Sequence, residues 1–153
     1  MLIYKDGRFY ANNSSFALVN GCKVNDNPLA WYRNGINLYT EDESCMIDIN
    51  FEYGHGGAQG SMEESMVTEE LVKLSGTRIE SRVFAGHTCW CAEYQGDLYK
   101  YFEARFDAPT GLIDKEGNNI NIFRMVVTAP LDSDVKTILR YTEIIGILNS
   151  FRP

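Results

Sequence analysis

The stretch Cys45-Met46-Ile47-Asp48-Ile49-Asn50-Phe51 alternates between two classes of side chain. Successive residues of a strand point to opposite faces, so Cys45, Ile47, Ile49 and Phe51 share one face. Asp48 and Asn50 take the other. This is the clearest two-residue period in the chain, and it predicts a strand with one face in a core.

The neighbouring sequence extends the pattern. Upstream, Leu2-Ile3-Tyr4 and Phe9-Tyr10 flank Lys5-Asp6-Gly7-Arg8, a hairpin signal centred on Asp-Gly. Phe16 to Val19 reads as a short strand ended by Asn20-Gly21, and a turn is required at Asn25-Asp26-Asn27-Pro28. Ile36 to Tyr39 is a further strand, joined to the first stretch by Glu41-Asp42-Glu43-Ser44. Downstream, Ser61 and Glu64 form a capping box, Met62, Met66, Leu71 and Val72 fall on one helical face, and Gly76 suits the helix end. Strands are then expected over Arg78 to Tyr94 (two strands, or one long bent one), Leu98 to Phe106 and Ile120 to Thr128, with Pro130 as the stop. A second helix should run from about Asp134 to Phe151, capped by Asp132, Ser133 or Asp134. Its stripe of Val135, Ile138, Leu139, Thr142 and Ile145 is widened by Ile144, Leu148 and Phe151. Ile138, Leu139, Ile145 and Leu148 are expected to be buried, with Lys136, Arg140 and Glu143 toward water. The order strands, helix, strands, helix predicts an α+β fold in which an antiparallel sheet packs between helices, one domain over residues 1–153.

Composition narrows the possible functions. The 153 residues are 44% hydrophobic and 23% charged, ordinary globular values. A chain of this size should bury roughly 69% of its unfolded surface, so neither disulfides nor a metal are needed for stability. Fourteen basic against 21 acidic residues leave a net charge of −7. Without a basic run, nucleic acid and anionic membrane surfaces are poor partners. No apolar run approaches the ~18 residues of a membrane span, and charges near Met1 leave no room for an apolar signal region. Cys22 and Cys45 stand alone, while Cys89 and Cys91, two apart on one strand, have Cα atoms ~6.5–7 Å apart, at or beyond the limit for an unstrained bridge. Reduced thiols and a cytoplasmic location are therefore expected.

The order of elements, together with Phe16-Ala17-Leu18-Val19, the helix after Gly60 and the ending Asn149-Ser150-Phe151-Arg152, resembles the PsbP-like superfamily. That superfamily includes photosystem accessory proteins, the Ran-binding nuclear import factor and bacterial DcrB-like proteins. The resemblance implies an α/β/α sandwich and an accessory or adaptor role without catalysis. It supplies no catalytic residues. The Pro and Trp common after the first core strand correspond here only to Pro28 and Trp31, beyond an unusually polar loop.

Several motifs suggest chemistry. Tyr53-Gly54-His55-Gly56-Gly57-Ala58-Gln59-Gly60 has the glycines of a phosphate loop, but neither the dinucleotide nor the P-loop spacing. It also has no lysine, and Glu63 and Glu64 would repel a phosphate, so it is expected to be a surface loop. His87, Cys89 and Cys91 point the same way on one strand, an arrangement that could present one nitrogen and two sulfurs to zinc or copper. Cys45 or His55 would have to supply a fourth ligand, and Glu93, Glu103 or Asp107 could join. Core or semi-buried strand positions are the simpler expectation. No serine-nucleophile elbow occurs, and Glu41, Asp42, Glu43, Glu63 and Glu64 read as solvated surface.

The aromatic residues are more informative. Tyr94, Tyr99, Tyr101, Phe102 and Phe106 crowd one hairpin. Phe102, Ala104 and Phe106 make its core face; Tyr99, Tyr101, Glu103 and Arg105 share the other. That face is either a solvent-exposed row with the composition of a protein-binding surface or a face covered by a helix, with tyrosine hydroxyls reaching its edges. The expected function is a non-enzymatic accessory or protein-binding module, with no cofactor, metal or catalytic residue assigned. The alternatives are an acidic inhibitor or immunity-type protein that neutralises a basic partner, and a small metal-binding protein or enzyme using His87, Cys89 and Cys91.

Overall fold

The computed structural model describes residues 2–25, 34–54, 75–132 and 142–153, with only the backbone described over 75–79. Two antiparallel sheets and one helix make up the described elements. The smaller sheet contains β1 (Ile3–Lys5), β2 (Arg8–Ala11) and β3 (Ser14–Ala17) in that order. Its first turn follows the expected Asp-Gly signal. Asp6 and Gly7 both have positive φ, 50° and 76°, as a type I′ hairpin turn requires.

The larger sheet contains β4 (Lys23–Val24), β5 (Gly35–Tyr39), β6 (Met46–Tyr53), β7 (Ser75–Phe84), β8 (His87–Gln95), β9 (Tyr99–Ile113) and β10 (Asn119–Pro130). Its strand order is β4-β5-β6-β10-β9-β8-β7. The period-2 stretch is β6, and its burial alternates as its sequence requires. Arg78 to Tyr94 resolves into two strands, hinged at Ala85-Gly86, where φ is again positive at both positions. The β9 strand runs past Phe106 to Ile113. Between Asp107↔Ile122 and Leu112↔Ile120 the ladder is irregular, and Pro109 sits in that bulge, where its missing N–H costs no regular pairing. The bulge also ties the two sheets together: the Thr110 carbonyl accepts from the Asn13 backbone N–H (3.2 Å) and from Asn12 Nδ2 (2.7 Å).

The core lies on the first face of the larger sheet. Ile36, Leu38, Ile47, Ile49, Phe51, Phe102, Ala104, Phe106, Phe123, Met125 and Val127 are buried there. Phe9 and Phe16 of the smaller sheet and Ile144, Ile147 and Leu148 of α1 (Thr142–Ser150) join the same cluster. Phe16 meets Phe123 at 5.7 Å between ring centres, and Phe151 stacks on Phe106 at 4.9 Å.

The expected α/β/α sandwich, and with it the PsbP-like fold, is overturned. Strands make up 62% of the described residues and helix 8%. The layer against the first face is shared by α1 and a second β-sheet. Strands β1–β3 pair with one another and bring Phe9 and Phe16 to a position that an α/β/α sandwich fills with helix. Gly76, expected to end a helix, lies in β7. The capping box and apolar stripe at 61–72, the turn and Trp31 at 26–33, and the helix start at 133–141 fall outside the described residues. Within α1, Ile144, Ile147 and Leu148 are fully buried, whereas Ile145 is half-buried and Glu143 is not fully in water.

Candidate functional site

The second face of the larger sheet is chemically unlike the first. Strand register sets Trp90, Arg105, Arg124 and Asn50 in one row across β8, β9, β10 and β6. Ala92, Glu103, Val126, Asp48 and Asn37 form the next, and Tyr94, Tyr101, Thr128, Met46 and Tyr39 the one after. Trp90, Ala92 and Tyr94 make an apolar cluster separate from the main core. Tyr94 and Tyr101 stack at 5.1 Å with their planes 20° apart.

A charge network runs through these rows. Glu103, only 1% exposed, accepts from Arg105 Nη2 at 3.2 Å and from Arg124 Nε, and Arg124 lies 3.9 Å from Glu52. Burial raises the pKa of Glu52 above the usual carboxylate range, opposed by the positive charges of Arg124 and Arg105. Burial alone would lower the pKa of Arg124, but the Glu103 charge and hydrogen bond outweigh it and hold the guanidinium above its ordinary value. Desolvation, helped by the Glu103 charge, pushes the Tyr94 hydroxyl up to about 12. Arg105 Nε is buried and finds no hydrogen-bond partner among the described residues. Neither reading of this face, as an exposed row or as one covered by a helix, places Glu103 and Arg105 in the internal ion network that they form. The row therefore divides, with Tyr101 half-buried and Tyr99 46% exposed.

Toward its end the second face opens into a groove of about 350 Å³ lined by Tyr39, Glu43, Met46, Tyr99, Thr128 and Pro130 among others. The adjoining β5–β6 turn is self-contained. Asp42 Oδ1 accepts from Thr40 Oγ1 (2.8 Å), Ser44 N–H (3.0 Å) and Ser44 Oγ (2.6 Å), while Glu41, Asp42 and Glu43 face solvent as expected.

The His87-Cys89-Cys91 strand is placed differently from a metal site. Cys89 and Cys91 lie on the core face, fully buried, with their sulfurs 3.7 Å apart. The His87 ring packs edge-on against Phe151 (5.2 Å) and Phe106 (6.1 Å). Two residues on from Cys91, Glu93 is held by Arg82 at 3.3 Å, and the same guanidinium reaches Glu80. Among the described residues no three His, Cys, Asp or Glu side chains are grouped to hold a metal ion. The proposed alternative use of His87, Cys89 and Cys91 thus has no grouped ligand set among them, and His55 lies outside the described residues.

The hydrogen bond to Cys91, followed by burial, raises the Cys89 pKa far above an ordinary thiol, and burial beside Glu143 pushes Cys22 up to about 12. Since the thiolate is the reactive form, native protein at pH 8 should react slowly with a thiol reagent such as 5,5′-dithiobis(2-nitrobenzoate). All four thiols should react at once in guanidinium. Rapid native labelling of Cys89 and Cys91 would contradict their placement in the core.

Sequence reasoning missed the Glu103–Arg105–Arg124–Glu52 network and the groove. A signal for the first was present, since Glu103 and Arg105 are two apart on a strand and so share a face. Nothing local marked Arg124 as their cross-strand neighbour. Compared with known proteins, the chain matches no family model, and no curated protein is significantly similar to it.

Proposed function

We propose that the chain is a non-catalytic, protein-binding accessory module that engages its partner through the aromatic end of the second sheet face. The observation that carries this reading is the groove itself. Tyr39, Met46, Tyr99 and Pro130 converge on it, and Tyr and Met are among the residues enriched where proteins meet. Tyr99 stands 46% exposed beside this depression, a rigid anchor that loses little entropy on binding. The placement of the reactive side chains supports a non-catalytic role: His87 is walled by phenyl rings, and Cys89 and Cys91 lie in the core. A cytoplasmic setting is part of the proposal, because none of the four cysteines is in a disulfide.

Site-specific photo-crosslinking tests this reading. A photoreactive amino acid at position 99 should give a defined protein adduct in cells. The same group at Ile113, which is 66% exposed at the far end of β9, should give none. Absence of any adduct from position 99, or the same adducts from both positions, would overturn it.

A further inference from the structure

Four strands floor the groove, and none of them is an edge. Each of β5, β6, β10 and β9 is bonded on both sides in the order β4-β5-β6-β10-β9-β8. A partner therefore finds no unpaired strand here to extend, and recognition must come from side chains entering the groove.

The loops at this end of the sheet supply the charge. Glu41, Asp42 and Glu43 lie in the β5–β6 turn, Asp97 in the β8–β9 turn and Asp132 just after β10, all of them exposed. Among the described residues, Lys23, 3.9 Å from Glu43, and Lys100 on β9 are the lysines of that end, so five described carboxylates stand there with two described ammonium groups. The acids flank the groove from two directions, the β5–β6 turn on one side and the β9 and β10 ends on the other. An acidic partner would be repelled, and an uncharged apolar one would dehydrate these carboxylates without replacing their water.

Resting on the reading of the groove as a docking surface, we infer that its partner is a basic polypeptide segment. Apolar side chains of that segment seat against Tyr39, Met46 and Tyr99, and its lysines or arginines face the carboxylate rim. Complementary charge of this kind sets partner choice and association rate, while the aromatic anchors supply most of the binding energy.

The test uses the full chain and three fluorescent peptides: an amphipathic Leu/Lys helix, a scrambled peptide of the same composition, and a Leu/Glu counterpart. Anisotropy should show the Leu/Lys helix binding best, with affinity falling as salt is raised. Tyr99→Ala should weaken it about tenfold or more. Glu41→Gln combined with Asp97→Asn should weaken it about fivefold, whereas Asp6→Asn with Glu116→Gln, at turns away from the groove, should leave it unchanged. Near-ultraviolet circular dichroism shows that each variant keeps its fold. Equal binding of the scrambled peptide, or equal loss in both carboxylate pairs, would reduce the effect to diffuse attraction by an acidic protein and overturn the inference. If the Leu/Glu peptide binds as well and is lost with Tyr99→Ala, the basic partner is wrong while the docking groove stands. If no peptide binds but position 99 still crosslinks in cells, the basic-segment inference fails and the protein-binding reading survives; if both fail, both fall.

Discussion

Cutting the chain after Ile147 is expected to abolish its cooperative unfolding transition. The deletion removes Leu148 and Phe151, both essentially buried, at roughly 1.5–3 kcal/mol for each large apolar side chain. Phe151 is more than a filler. Its ring sits 4.9 Å from Phe106, 5.3 Å from Phe123 and 5.2 Å from His87, so its loss opens a cavity at the junction of α1 and the larger sheet. Polar ties go with it. Arg8 Nη2 donates to the Ser150 carbonyl at 2.6 Å, the Ala17 backbone N–H to Ser150 Oγ at 2.9 Å, and Ser15 and Arg152 exchange two backbone bonds of 2.9 Å. At about 0.5–1.5 kcal/mol each, these losses and the apolar ones approach the ~5–15 kcal/mol stability of a typical domain. Calorimetry should show no sharp transition for the truncated chain. Phe151→Ala, a milder probe, should cost about 3–5 kcal/mol. A truncated chain melting within a few degrees of the intact one would mean that residues 148–153 are not part of the core.

Glu103→Ala should be the most damaging single change on the second face. The carboxylate is 1% exposed and partners both Arg105, itself 6% exposed, and Arg124. Removing it takes the carboxylate from buried Arg105, whose Nε already lacks a partner among the described residues, and leaves Arg124 with its 3.9 Å contact to Glu52. Breaking a buried ion pair by removing one partner costs about 3–5 kcal/mol, because the remaining charge stays desolvated. Denaturant titration should register that loss as a lower midpoint at unchanged slope. The combined Glu103→Leu, Arg105→Met and Arg124→Met variant should recover much of it, since apolar side chains of similar volume avoid the desolvation cost. A Glu103→Ala cost below about 1 kcal/mol, as for surface pairs, would show that water reaches the network.

These two sites mark how far the sequence could be read. The strand at 46–53 was legible because its period is unbroken, and the Asp6-Gly7 turn because its backbone suits few other residues. The runs at 98–106 and 120–128 were legible as strands, but their pairing with each other emerges only in the structure. Periodicity, however, says which side chains share a face and not which sheet a strand joins, so β1–β3 were not separated from the larger sheet. It also prices charge as solvent. The burial of Glu103 and Arg105 was not legible because the compensating Arg124 lies 19 positions beyond Arg105 and meets them only across the strand register. The groove failed to show for a related reason: Tyr39, Met46, Tyr99 and Pro130 are distant in sequence and converge only through the strand order.

The pairing of Ser15 with Arg152 has a consequence for biosynthesis. Strand β3 is made before its outer partners: its backbone bonds to Arg152 and the aromatic contact of Phe16 with Phe123 wait for residues made much later. Folding during synthesis can assemble local hairpins, such as β1–β2 at Asp6-Gly7 and β7–β8 at Ala85-Gly86. The closing contacts form only once residue 152 has left the ribosome. Until then the part of the first face that Phe151 covers, at Phe106 and Phe123, stays open, a species prone to aggregation.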